Sequence, residues 1–227
     1  ETNFNVFSMD ATPVLAATTT SILSPTNRPR YLFGVGLNGV IFAPAPATPF
    51  IFEDASTGEY NWDWVFEPTM NLGNGSDKVA LDCSGAHRST AQGYHYHANT
   101  VEYAETILVG ISDTTLPTTI DDIHIGWAAD GFPILYRYGP DENGGFELLQ
   151  ASYQIKQGER PGDGVSEPCG AYNGKYTNDW EYISALGDLD DCNGIQRDVT
   201  IDGQVYSYFY VVTDDFPQVS RCFKGTP

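Results

Sequence analysis

The chain has 227 residues, enough for one large domain or two small ones with a core of their own, so size alone demands no metal or cofactor for folding. Lys and Arg number 11 against 30 Asp and Glu, a net charge of -19 that repels phosphate backbones and anionic membranes and argues against nucleic acid as a partner. No hydrophobic run reaches the length of a membrane span, and the chain starts at Glu1 rather than Met, as a secreted protein does after signal removal; an extracellular location is the expectation.

Residues 1-30 read as an extended N-terminal arm. Between Thr2 and Asn27 the one charged residue is Asp10, there is no Gly, and Pro13 and Pro25, with Pro29 beyond, discourage a continuous helix. Phe4, Val6, Phe7, Met9, Val14, Leu15, Ile22 and Leu23 need a surface to cover, because apolar area left in water costs about 25 cal/mol per Å². That surface is either the edge of the chain's own domain or a neighbouring subunit. About 20 extended residues reach roughly 65 Å, enough to donate a strand to the next molecule. Such a contact is head-to-tail, and a rotation that does not close gives a fibre.

Residues 31-227 read as a mainly β, β-sandwich or jelly-roll-like single domain. Tyr31-Leu32-Phe33, Val40-Ile41-Phe42, Thr106-Ile107-Leu108-Val109 and Val199-Thr200-Ile201 are short β-branched or aromatic runs between turn residues. Asn38-Gly39, Asp130-Gly131 and Asp202-Gly203 tolerate positive φ and suit tight hairpins. A short helix is predicted near Asp179 to Leu186.

Three stretches of the first half return in the second half in the same order. Gly34 to Val40 returns as Gly126 to Phe132, Asp82 to His87 as Asp191 to Gln196, and Tyr94-His95-Tyr96-His97 as Tyr208-Phe209-Tyr210-Val211. This predicts one duplicated unit, with repeats at about 31-100 and 123-214. The histidines occur in the first copy only. On a strand, His95 and His97 share a face with Cβ atoms roughly 7 Å apart, and His87 follows a turn that could bring in a third nitrogen. Three imidazoles with an open position suit Zn or Cu, and the open position is the pattern of a catalytic site. The competing reading is a hydrogen-bonded polar strand without metal. His124, alone on an apolar strand, reads as a packed core residue.

Cys83, Cys169, Cys192 and Cys222 form no CxxC pair, so two disulfides in an oxidising compartment are expected, with Cys192 to Cys222 the preferred pairing. Asp188 to Asp191 with Asn193, and Asp141-Glu142-Asn143, are acidic loops that either stay solvated or hold Ca through oxygen ligands. Trp62 and Trp64 alternate on a predicted strand, as core aromatics or as a sugar-stacking platform. Asn74-Gly75-Ser76 matches the N-glycosylation pattern, and Thr18 to Ser21 could carry O-linked sugars.

Leu37-Asn38-Gly39-Val40, Asp82-Cys83-Ser84-Gly85, Tyr94-His95-Tyr96-His97, Ala129 to Ile134, Gly187 to Gly194 and Cys222-Phe223-Lys224-Gly225 together resemble the YHYH domain family of secreted proteins. The resemblance covers about Tyr31 to Gly225 and implies an extracellular β-rich domain more firmly than an activity. It also implies a second histidine set in many members, at positions that here carry Ile195, Phe209 and Val211, none of which binds metal or moves a proton. From the arm, the preferred functional expectation is an extracellular assembly protein: a homopolymeric fibre subunit donating its N-terminal strand to the neighbouring copy, with no residue assigned a catalytic role. The alternatives are a secreted metal-binding protein or metalloenzyme using His87, His95 and His97, and a carbohydrate-binding module.

Overall fold

The structure is a computed structural model that describes residues 7-23, 32-45, 47-51, 59-70, 80-89, 92-107 and 115-227. The first nine strands are β1 (Thr20–Ser21), β2 (Gly34–Gly36), β3 (Ile41–Phe42), β4 (Pro49–Ile51), β5 (Tyr60–Val65), β6 (Ala86–Ser89), β7 (Gly93–Tyr96), β8 (His124–Ala128) and β9 (Pro133–Tyr136). The remainder are β10 (Tyr138–Pro140), β11 (Phe146–Leu148), β12 (Tyr153–Ile155), β13 (Trp180–Tyr182), β14 (Gly194–Ile195), β15 (Val199–Ile201), β16 (Gln204–Tyr206), β17 (Phe209–Val212) and β18 (Cys222–Phe223). One α-helix among the described residues, α1 (Val101–Ile107), follows β7. The chain is mainly β.

The organising element is an eight-stranded mixed sheet in the order β14-β17-β9-β8-β2-β3-β7-β6. Its two halves mirror each other. At the centre β2 and β8 run antiparallel with Val35 opposite Trp127, flanked by Gly34 opposite Ala128 and Gly36 opposite Gly126. Outward from there, β3 pairs in parallel with β7 through Phe42 and Tyr96, and β9 pairs in parallel with β17 through Ile134 and Tyr210. The edge strands β6 and β14 then set Ala86 opposite Tyr96 and Gly194 opposite Tyr210. Val35 and Trp127 thus sit on a local two-fold axis. Glycine is needed beside it, because a Cβ on Gly34 would lie 2.4 Å from the Trp127 carbonyl oxygen and one on Gly126 2.5 Å from that of Val35.

The same two-fold relation shifts one of the repeated blocks by a residue. Asp82 N donates to Ala86 O and Asp190 N to Gly194 O, each at 2.8 Å, while His97 N reaches Gly85 O and Val211 N reaches Asn193 O. Gly85 and Asn193 both have positive φ, 63° and 54°. Asp82 therefore corresponds to Asp190, Gly85 to Asn193 and His87 to Ile195, and the match of Cys83 with Cys192 is replaced by Ser84 with Cys192. Sequence identity at Asp-Cys favoured the wrong frame; the turn's carboxylate and its left-handed residue set the right one.

Side chains alternate between two apolar clusters, one on each face. One holds Phe33, Phe42, Tyr96, Ile134, Tyr210 and Phe223 among others; the second holds Leu135, Phe209, Val211, Val199 and Ile201, with Ile195 packed against it. The hairpins at Asn38-Gly39, Asp130-Gly131 and Asp202-Gly203 form as expected, between antiparallel strands.

Two predicted elements differ. Thr106 and Ile107 end α1 rather than starting a strand: Ala104, fully buried, and Tyr103 and Ile107 pack on the core at helical spacing, which outweighs the β-branched composition. Leu108 and Val109 lie outside the described residues. The helix expected at 179-186 is a single 3-10 turn, Thr177–Asp179, followed by β13, because Tyr182 pairs across to Tyr153 on β12 and Asp179 is buried in an ion pair with Arg160.

The arm lies along its own chain over residues 7-23. Thr20 and Ser21 pair with Phe223 and Cys222, Ile22 N donates to Arg221 O, and Ala16 N donates to Lys224 O. Ile22 is fully buried and Leu23 packs beside it, while Phe7 and Met9 line a small cleft with Val35 and Trp127 on the two-fold axis. Val14 stays 74% exposed, and Leu15 and Phe7 are partly exposed. Phe4 and Val6 lie outside the described residues.

Candidate metal centre

Strand alternation puts His95 and His97 on the face of β7 opposite to Tyr94 and Tyr96. Antiparallel pairing sets His87 of β6 directly across from His95. The three rings meet with centroids 4.6, 5.0 and 4.8 Å apart, and one nitrogen of each lies within 4.8 Å of the other two. His95 and His97 are buried; His87 is partly open to solvent.

Backbone carbonyls lie against the Nδ1 atoms of both buried rings. His95 Nδ1 is 3.0 Å from Gly93 O and His97 Nδ1 is 3.5 Å from Pro44 O. A carbonyl oxygen only accepts, so the shorter contact sets His95 Nδ1 as a donor and leaves a lone pair on its Nε2. That Nε2 faces the Nε2 of His97 at 3.0 Å. The separation suits an Nε2–H···Nε2 hydrogen bond and equally a cation held by both nitrogens. His97 is held down to about 3 by burial and then by the charges of His95, His87 and Arg221. His87 is likewise lowered, first by burial and then by His95. Two nitrogens bound to one tetrahedral ion at 2.0-2.1 Å are about 3.3 Å apart, close to the separation found here. Nδ1-H bonds to carbonyls are also the usual outer support of metal-binding imidazoles.

The turn before His87 is fixed by Asp82. Its Oδ1 accepts from Ser84 N and Ala86 N, and its Oδ2 accepts from the Tyr94 hydroxyl at 2.8 Å. Burial and this bond push Tyr94 up to about 12, so it stays a neutral donor. Tyr96 accepts from Asn38 Nδ2. Both tyrosines act on the site by holding its strands. Ser84 donates to Glu102 rather than to His87, which leaves no Ser-His relay.

At the matching positions of the second repeat the scaffold persists without the imidazoles. Asp190 Oδ1 accepts from Cys192 N and Gly194 N, and Tyr208 donates to Asp190, yet Ile195, Phe209 and Val211 fill the place of the three histidines with apolar packing.

The remaining candidates fall as follows. Cys192 and Cys222 form a disulfide, whereas Cys83 and Cys169 are free, exposed thiols, which corrects the expectation of a second bridge. A second group of metal-capable side chains, Asp191 with Cys192 and Cys222, has its sulfurs committed to that bridge. In the acidic loops Asp188 accepts from Gln150 N, Asp191 pairs with Lys224, and Asp141 accepts from Asn143 N and Gly145 N, so these oxygens bind the chain's own donors. Trp64 is buried edge-on to Tyr176, leaving Trp62 beside Tyr60 rather than two indoles on one surface. His124 is buried, with Nε2 donating to Gly126 O. Asn74 lies outside the described residues. Sequence reading missed the carbonyls of Gly93 and Pro44 beside the histidines and the buried Arg221–Glu67 pair, because long-range burial leaves no local signal.

No helix among the described residues is long and apolar enough to cross a membrane. No curated protein and no solved structure matched the chain. The family model described as "YHYH protein" matches residues 6–225, nearly the whole chain, and this protein is a member of the YHYH family.

Proposed function

We propose that this chain is an extracellular metal-binding protein that holds one Zn or Cu ion on His87, His95 and His97. The observation that carries the reading is the convergence of one ring nitrogen from each of His87, His95 and His97 within 4.8 Å, with His95 and His97 buried. Three neutral imidazoles suit zinc or copper better than the hard oxygen-seeking cations. Three protein ligands leave a further position for an outside ligand, the arrangement of reactive rather than purely structural zinc. The disulfide supports an oxidising compartment. The test is metal analysis of protein purified without chelator. About one ion per chain is expected, reduced to background in the His95→Ala/His97→Ala variant; equal content in both proteins rejects the reading.

Assembly by strand donation is the second reading, favoured by the arm. Its contact is a two-residue strand on β18 with Ile22 as the buried anchor, and Val14 and Leu15 remain open to a second copy. The same bonds can form in trans if arms are exchanged between copies. Electron microscopy of the native material tests this: fibres that vanish on deletion of residues 1-26, with metal content unchanged, support exchange, and fibres that persist without the arm reject it.

A further inference from the structure

The long loop between β12 and β13 is organised by Arg160, whose side chain is 5% exposed. Nε and Nη2 donate to the two oxygens of Asp179, Nη2 also donates to Asn173 Oδ1, and Nη1 donates to Cys169 O at 2.9 Å. One N–H of Nη1 is left without an acceptor among the described residues. Between this loop and Phe50 of β4 lies a cleft of about 290 Å³, at the small end of the range for small-molecule sites. Phe50, Pro168 and Tyr176 supply its apolar walls, with the Phe50 and Tyr176 rings 6.2 Å apart and 73° from coplanar. Arg160, Asn173, Lys175 and Cys169 supply its polar lining.

The acceptors around this cleft are already used. Asp179 is committed to Arg160 and to the backbone N–H groups of Asn173 and Tyr176. Asn173 Oδ1 accepts from Arg160 and from Lys175 N, which leaves its Nδ2 to donate. The Lys175 ammonium has neither a hydrogen bond nor an ion pair among the described residues; it stands 5.2 and 5.5 Å from the ring centres of Phe66 and Tyr176. Arg160 stands 5.0 Å from the same Tyr176 ring. Among the described residues no Asp or Glu lines the cleft, in a chain whose net charge is -19. Repulsion of an approaching anion by that acidic surface is screened over about 8 Å at physiological ionic strength, whereas a partly buried ion pair is screened much less. Local charge therefore decides what binds. An inorganic anion would use the ammonium and leave the walls in water; a carboxylate carried on a compact ring uses both.

We propose that this cleft binds a small organic acid, its carboxylate paired with Lys175 and its ring against Phe50, Pro168 and Tyr176. The carboxylate is common to two ligand sources, a planar aromatic acid and a monosaccharide-sized sugar acid. The cleft shares no residue with the histidine cluster, so its occupancy does not depend on metal.

Cys169 serves as the reporter, being a free, exposed thiol on the lining, and Cys83, the other free thiol, is the control outside it. The protein is alkylated with iodoacetamide at increasing sodium benzoate or sodium glucuronate, and the rate at each thiol is read by peptide mass spectrometry. At least one acid should slow Cys169 saturably and leave Cys83 unchanged. Protection by benzoate alone assigns an aromatic acid, by glucuronate alone a sugar acid, and by both the carboxylate they share. The uncharged counterparts benzamide and glucose should protect at least about tenfold more weakly, as should the protecting acid on Lys175→Met. Lys175→Arg, which keeps the charge, should retain protection. A urea midpoint matching that of wild type shows that Lys175→Met is folded. The site is overturned if neither acid protects Cys169, if the uncharged counterpart protects as well as the acid, or if Lys175→Met binds as tightly as wild type.

Discussion

Replacing His97 with Val, the residue at its matching position in the second repeat, should flatten the acid side of the stability profile. In an unfolded chain imidazole titrates near 6.5. In the fold His97 is held down to about 3, first by burial and then by its histidine neighbours. Between these values the unfolded chain binds a proton that the folded chain refuses. The stability contributed by the neutral ring is fully present above 6.5 and is lost as pH falls toward 3, at about 1.4 kcal/mol per pH unit. Lowering the pH from about 6.5 to about 4.5 removes roughly 2.3 kcal/mol by this route. Urea unfolding followed by tryptophan fluorescence, at both pH values and with chelator present, measures the loss in each protein. Carboxylates titrate in both proteins, so the difference between the two losses reports His97 together with its charge coupling to His87 and His95. The variant should lose less by about that amount; equal losses would refute the claim that the fold excludes the imidazolium.

Asp82→Ala should weaken metal binding by about 10- to 100-fold, measured by competition with a chelating dye, because the turn carrying His87 loses its cap and its tie to Tyr94. Ile22→Ala should destabilise the protein by about 2-5 kcal/mol in urea unfolding, since the arm's anchor is fully buried. Gly126→Ala should lower stability by at least about 1-3 kcal/mol, because the new methyl meets the Val35 carbonyl oxygen at 2.5 Å across the central strand pair. Reduction of Cys192–Cys222, which closes a loop with a sequence separation of 30, should cost roughly 3.6 kcal/mol of stability by loop entropy, read as a shift in the urea midpoint with and without reductant.

The β class and its hairpins were legible because both are local. Asn38-Gly39 and Asp202-Gly203 announce positive φ in two residues, and the structure places both in turns between paired strands. The return of the Gly34 block at Gly126 was legible as a repeat, whereas the backbone approach that leaves no room for a Cβ there comes from the structure. His87, His95 and His97 could be grouped from strand periodicity plus one turn, and the structure brings all three together. What stayed hidden depends on packing between distant segments. Thr106 and Ile107 have strand composition but belong to a helix whose Ala104 face is buried. Trp180, read within a helix, forms a strand beside Ile155 and stacks on Phe216 at 4.3 Å. Arg221 and Glu67 are separated by 154 positions, and nothing near either residue shows that they share a buried pair.

On the metal reading, the imidazoles of the first repeat surround a cation. X-ray absorption at the metal edge of protein purified without chelator tests it most directly. About three nitrogen neighbours at 2.0-2.1 Å with the multiple-scattering signature of imidazole are expected, lost in His95→Ala/His97→Ala. A metal-free preparation that also fails to take up zinc or copper, or an ion surrounded only by oxygen, would contradict it.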